Sequence, residues 1–197
     1  TGNAMVSDVN IMKVTPAGVV TQAVVIPVGS GDGRSSAMFL PTGVAIDPAG
    51  NIYAANGVGT RKVTPAGALS ILEGLDVFNG AFGTRGISYR GITRDSLGNV
   101  YFGSADGILK AGVDGSIKPY LPNRAGRWLV MDANGNFYRN EGVSEIITKI
   151  DTSGKESTVV GVAGDTVTTL GALPGRLSFT QGLAIDSKGF LYVSNMG

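Results

Sequence analysis

The chain has 197 residues, 43% of them hydrophobic, with 16 basic and 15 acidic side chains for a formal charge of +1, and it holds neither cysteine nor histidine. Disulfides, thiolate or histidine metal sites, cysteine nucleophiles and a Ser-His-Asp triad are thereby excluded, which leaves any enzyme built here carboxylates, lysine, tyrosine or an oxygen-bound cation. The balanced charge, with no Lys or Arg run, points away from nucleic acid, and no apolar stretch approaches the roughly 18 residues of a membrane span.

A chain of this length is expected to form a single domain over residues 1–197 around a sizeable core. It opens on Thr1 without a charged and apolar leader, so it reads as a processed or trimmed product. Ile11-Met12-Lys13-Val14 then forms a strand that ends in the turn Thr15-Pro16-Ala17-Gly18. Gly29-Ser30-Gly31-Asp32-Gly33-Arg34 is glycine-rich but lacks the Lys-Ser/Thr ending of a phosphate loop and precedes no helical pattern, so it is a connector. The run GVAIDPAGNIYAANGVGTRKVTPAG, residues 43–67, alternates three apolar strands with turns. A long connector over 71–90 follows, and its Phe78, Phe82, Arg85 and Tyr89 are the expected anchors for a protein partner. Beyond it, Lys118, Tyr120, Arg124 and Arg127 make a modest basic patch of the kind that is usually solvated surface.

Two markers recur. Asp47-Pro-Ala-Gly50-Asn51-Ile-Tyr53 is repeated as Asp95-Ser-Leu-Gly98-Asn99-Val-Tyr101, Asp132-Ala-Asn-Gly135-Asn136-Phe-Tyr138 and Asp186-Ser-Lys-Gly189-Phe190-Leu-Tyr192. The second joins Lys13 to Gly18, Lys62 to Gly67, Lys110 to Gly115 and Lys149 to Gly154 at one spacing. In the first marker the Asp is expected to bond its own downstream amides while Gly takes the positive φ that closes a hairpin. Turn formation therefore explains these carboxylates, although Asp132-Ala-Asn134-Gly-Asn136 has a passing likeness to the start of a calcium loop; the closing Glu and flanking helices of that loop are missing. No stretch sustains a helical period free of Gly or Pro, and short strands in units of roughly 40 to 50 residues mean an all-β propeller.

The stretch from Val28 to Gly67 resembles an NHL-repeat blade of the secreted bacterial type, and Val160–Gly164 with Ala172–Asp186 resembles it again. The resemblance implies a propeller and an extracellular or periplasmic location; it is silent on function, since NHL propellers include both enzymes and binding platforms. In an NHL blade the C-terminal strand Leu191–Ser194 and the N-terminal stretch would be consecutive, so a ring of four blades is expected, the last closed by N- and C-terminal strands. The alternative is an arc or fragment of a larger propeller.

Propellers bind at the ring face where inner strands begin. There the residues five before each turn Asp are Thr42, Arg90, Arg127 and Gln181, a polar set suited to a carboxylate or phosphate ligand. Trp128 follows in a column otherwise occupied by Gly43, Gly91 and Gly182, and core packing is its expected role. Three residues after each Tyr stand Asn56, Ser104, Glu141 and Asn195; of these Asn56, Glu141 and Asn195 resemble the divalent-metal column of gluconolactonase-type propellers. The preferred function is a non-enzymatic scaffold that binds a protein partner, or a subunit held in a larger extracytoplasmic complex, with no cofactor. The alternative is a metal-assisted hydrolase or lyase of the lactonase or amidating-lyase kind, using calcium or another divalent cation.

Overall fold

The computed structural model describes residues 9–26, 43–56, 59–72, 91–104, 107–114, 116–140, 145–162, 171, 175–178 and 180–195. They form sixteen strands and no helix. Strands β1 (Val9–Val14) and β2 (Val20–Ile26) make a two-stranded sheet. Three four-stranded antiparallel sheets follow in chain order. The first holds β3 (Gly43–Ile46), β4 (Ile52–Asn56), β5 (Gly59–Val63) and β6 (Leu69–Ile71). The second holds β7 (Gly91–Arg94), β8 (Val100–Gly103), β9 (Gly107–Ala111) and β10 (Ile117–Pro122). The third holds β11 (Trp128–Met131), β12 (Phe137–Asn140), β13 (Ile147–Ile150) and β14 (Glu156–Val160). A second two-stranded sheet, β15 (Thr180–Ile185) with β16 (Leu191–Asn195), ends the series.

Each four-stranded sheet is a meander, as short antiparallel strands with tight turns require. The Asp-x-x-Gly marker joins first to second strand. At Asp47 the Gly50 amide donates to the Asp47 carbonyl (2.9 Å) and the Asp47 amide to the Asn51 carbonyl (3.0 Å), with Gly50 at φ +82°. This is the three-residue hairpin loop in which a left-handed residue follows a type I turn, a conformation open to Gly without steric cost. Lys-x-x-x-x-Gly joins third to fourth strand in the same way, with the Gly67 amide donating to the Thr64 carbonyl at 2.9 Å.

The sheets stack face on face. Tyr53 and Ala55 of the first blade pack against Val100, Phe102, Leu109 and Ala111 of the second. On the second blade's other face, Tyr101 and Ile108 meet Leu129, Phe137 and Ile150 of the third. Tyr101, Tyr120 and Phe137 form an edge-to-face cluster there, with Tyr101 centroids 5.2 and 5.1 Å from the other two. Ile11 of β1 lies on Ala54 of the first blade, so the N-terminal pair serves as an outer half-blade against it. The central blade is covered on both faces, and all four residues of β8 are buried.

This is a β-propeller architecture. Its ends differ from a closed four-bladed ring: β1–β2 and β15–β16 are separate sheets, and the described residues fit the arc instead.

Candidate functional site

The inner strands β3, β7, β11 and β15 start at a common end of the stack and together line an open cavity of about 180 Å³. Gly43, Gly91, Trp128 and Gly182 occupy equivalent register positions there, opposite Ala55, Gly103, Asn140 and Ser194. Glycine is demanded at Gly91 by close approach, since a Cβ would stand 2.5 Å from the Leu129 amide nitrogen and 2.7 Å from its Cβ. Trp128 is half-buried and is among the residues that line the cavity.

Arg127 sits immediately before β11 and is half-buried. Gln181 lies in the irregularity of β15 between Thr180 and Gly182, while Asn56 and Asn195 are the last residues of their second strands. Thr42, Arg90 and Glu141, and the connector residues Phe78, Phe82, Arg85 and Tyr89, lie outside the described residues. Ser104, in the same column as Asn56, is buried and closes a turn: its Oγ and its amide both donate to the Gly107 carbonyl at 3.0 Å.

The repeated acids are consumed by the fold. Asp132 Oδ1 accepts from the amides of Asn134 and Asn136, each at 2.9 Å, and its Oδ2 accepts from Asn136 Nδ2 (2.8 Å) and the Tyr138 hydroxyl (3.2 Å). Asp47 and Asp95 hold Asn51 with Tyr53 and Asn99 with Tyr101 by the same bonds. Burial works to raise each of these carboxyls, but the Asn and Tyr donors outweigh it and hold all three below the ordinary Asp value. Tyr53 moves the other way: burial first, then the charge and bond of Asp47, push it up to about 12. Four donors on one carboxylate leave little capacity for a cation, so turn formation accounts for Asp132.

Two buried polar groups near this end escape a repeat-based reading. Arg139 stands where the other blades carry Ala54 and Phe102, and its guanidinium donates to the Ala125 carbonyl and to Glu156 Oε1 at 3.1 Å. Glu156 also pairs with Arg124 at 2.6 Å, so the β10–β11 connector is tied to the third blade. Asn140 donates to Thr180 Oγ1 of β15 and to the Ile146 carbonyl (3.4 Å), bridging the third blade to the final sheet. An Arg in a column otherwise Ala54, Phe102 and Val193, and an Asn in one otherwise Ala55, Gly103 and Ser194, were the available signal in the sequence.

No family model and no curated protein matches the sequence. Solved structures match the fold. A virginiamycin B lyase from Staphylococcus aureus superposes with a TM-score of 0.60 at 15% identity over 94% of this chain and 56% of that one. An auxiliary nutrient binding protein from Bacteroides thetaiotaomicron gives a TM-score of 0.55 at 13% identity, covering 77% of this chain and 42% of that. The extracellular domain of a putative one component system from the same organism gives 0.63 at 10% identity, covering 91% and 23%. The chain therefore spans little more than half the length of the lyase it resembles.

Proposed function

We propose that this chain is a non-enzymatic, NHL-like binding propeller, exported to the extracellular or periplasmic space, which docks protein on exposed apolar residues of β1 and of the first blade. The observation that carries this reading is apolar exposure. Val44 and Ile46 of β3 are 44% and 52% exposed and Met12 and Val14 of β1 are 53% and 63% exposed, although the inner blade faces are closed to solvent. Exposed large apolar side chains gathered at one end of a blade stack mark interaction sites. Likeness in fold to a nutrient binding protein and to an extracellular domain supports the class and the location. The connector anchors Phe78, Phe82, Arg85 and Tyr89 and the channel-mouth set Thr42, Arg90, Arg127 and Gln181 are assigned to the same binding role as further contacts.

The test places charge on the exposed face. With Val44→Lys and Ile46→Lys together, the chain is expected to keep its melting temperature within a degree or so, because surface changes usually cost within about 0.5 kcal/mol, and to lose its protein partner in affinity capture. Equal capture by native and substituted chains overturns the reading.

A metal-assisted hydrolase or lyase is the second reading, favoured by the likeness to a lyase and by the column Asn56, Glu141, Asn195, which would supply oxygen ligands to a divalent cation. It requires that calcium or zinc raise the melting temperature and that Glu141→Gln remove the rise. Absence of any shift ends it.

A further inference from the structure

The lysine that opens the second sequence marker has the same kind of cross-strand neighbour in three sheets. Lys13, Lys62 and Lys149 lie opposite Thr21, Ser70 and Ser157, a small hydroxyl each time. In the second blade Lys110 lies opposite a second lysine, Lys118. Like charges placed directly across a sheet repel, so this exchange of hydroxyl for ammonium works against the fold. Among the described residues neither ammonium forms an ion pair, because the carboxylates around them are engaged elsewhere. Asp95 holds Asn99 and Tyr101, and Glu156 takes Arg124 and Arg139. Asp114 accepts from the hydroxyl and amide of Ser116, which with a weaker pull from Lys118 hold its carboxyl below the ordinary value.

Two residues beyond Lys118 stands Tyr120. It is the extra residue of a β-bulge, unpaired between Pro119, opposite Leu109, and Leu121, opposite Ile108. The same irregularity in β14 falls on Val159. A bulge in an edge strand bends it and re-aims the side chain it carries. Here the Tyr120 ring is set edge-on against Tyr101 at 5.2 Å and tilted beside Phe137 of the third blade at 5.8 Å, yet the residue stays 44% exposed. The Lys110 ammonium stands 5.6 Å from the centroid of that same Tyr101 ring, so the lysine pair and the exposed tyrosine share one patch along the border of the second and third blades. Pro119 and Pro122 lack an amide donor, which makes β10 a poor template for an added strand. Whatever docks on this border is held by side chains.

We propose that this border docks an acidic segment of a partner protein, whose carboxylates pair with the Lys110 and Lys118 ammonium groups while an apolar side chain of the segment rests against Tyr120. Charge complementarity selects the occupant. A carboxylate set between two opposed ammonium groups turns their repulsion into charge-assisted hydrogen bonds, which a hydroxyl in place of Lys118 could not supply. An exposed tyrosine beside such a pair is the kind of anchor that concentrates binding energy. The surface lies on the second and third blades, whose eight strands are all described, and away from Val44 and Ile46 on the first. It therefore stands or falls separately from the apolar face.

The probe is a fluorescein-labelled peptide of six glutamates around one central leucine, titrated with the 197-residue chain and followed by anisotropy. Salt is kept at about 50 mM, since screening weakens exposed ion pairs above that. The native chain is expected to bind the peptide saturably. Lys118→Ser, which installs the residue type of the neighbouring blades, and Tyr120→Ala should each weaken it at least about fivefold, while Lys118→Arg keeps it. Lys188→Ser removes the same charge from an exposed site on the last sheet and should leave binding unchanged. In thermal melts Lys118→Ser should unfold at or above the native temperature, because a repulsion has been relieved. No saturable binding by the native chain overturns the proposal, and so does an equal loss on Lys188→Ser. A lower melting temperature for Lys118→Ser would give that lysine a part in the fold and overturn it too. A single-stranded oligonucleotide of the same charge that binds as tightly, with the same dependence on Lys118, would make the border a nucleic-acid surface and overturn the acidic-protein assignment. Because the peptide is read directly, its failure leaves the Val44 and Ile46 capture result standing, and failure of that capture leaves this one standing.

Discussion

The smallest unit that explains this protein is a carboxylate held by its neighbours. Asp95 accepts from the amides of Leu97 and Asn99, from Asn99 Nδ2 and from the Tyr101 hydroxyl, at 2.6 to 3.0 Å. Asp95→Ala removes all of these and is expected to cost about 2 kcal/mol in urea unfolding, the range for losing hydrogen bonds to a charged group. Asp186→Ala should cost less, because Phe190 replaces the Asn and the clasp is solvent-exposed. The same residues set the pH response. Folded Asp47, Asp95 and Asp132 titrate below the ordinary value of 3.8, so the stability they contribute is present above that pH and is lost as pH falls through the lower folded values. Tyr53 is raised from 10.0 to about 12, so its contribution is present below 10 and is lost as pH rises toward 12. Thermal melts across pH should therefore show an acid limb flattened by Asp95→Asn and an alkaline limb flattened by Tyr53→Phe. The clasp was largely legible beforehand, since its Asp, Gly and Tyr recur at fixed offsets and bond within six residues of chain. Tyrosine's role as a hydroxyl donor was not, because an offset says nothing about where a ring tip points.

At the scale of the element, spacing between strands decides what each position tolerates. Gly91 lets β7 approach β11, and Gly91→Ala is expected to destabilise the chain by about 1 to 3 kcal/mol, because backbone and not a flexible side chain is in the way. Gly182→Ala meets only the Ser194 Oγ at 2.9 Å, which can rotate, and should cost less in the same urea titration. Strand boundaries and hairpin turns follow from alternation and turn residues and match the sequence-based expectation closely around residues 43–67. The Arg139–Glu156–Arg124 tie and the Asn140–Thr180 bridge do not, since their partners are 14 to 40 residues away and are selected by how blades face one another.

For the whole molecule, stability is a sum over stacked sheets, each supported by its neighbours. Hydrogen exchange is expected to be slowest in the central blade, above all β8, and fastest in β1–β2 and β15–β16, which among the described residues are two-stranded sheets only. By itself the sequence determined the all-β repeat, the hairpin turns and the register of each blade, because these rest on contacts within a few residues. Which faces stay uncovered, and whether the two half-blades meet in one chain, was decided only in the tertiary structure. The position of the last sheet relative to the first is the accumulated rotation of every blade between them, set by interblade packing such as Tyr53 on Phe102 and Tyr101 on Phe137, and no local spacing encodes that total.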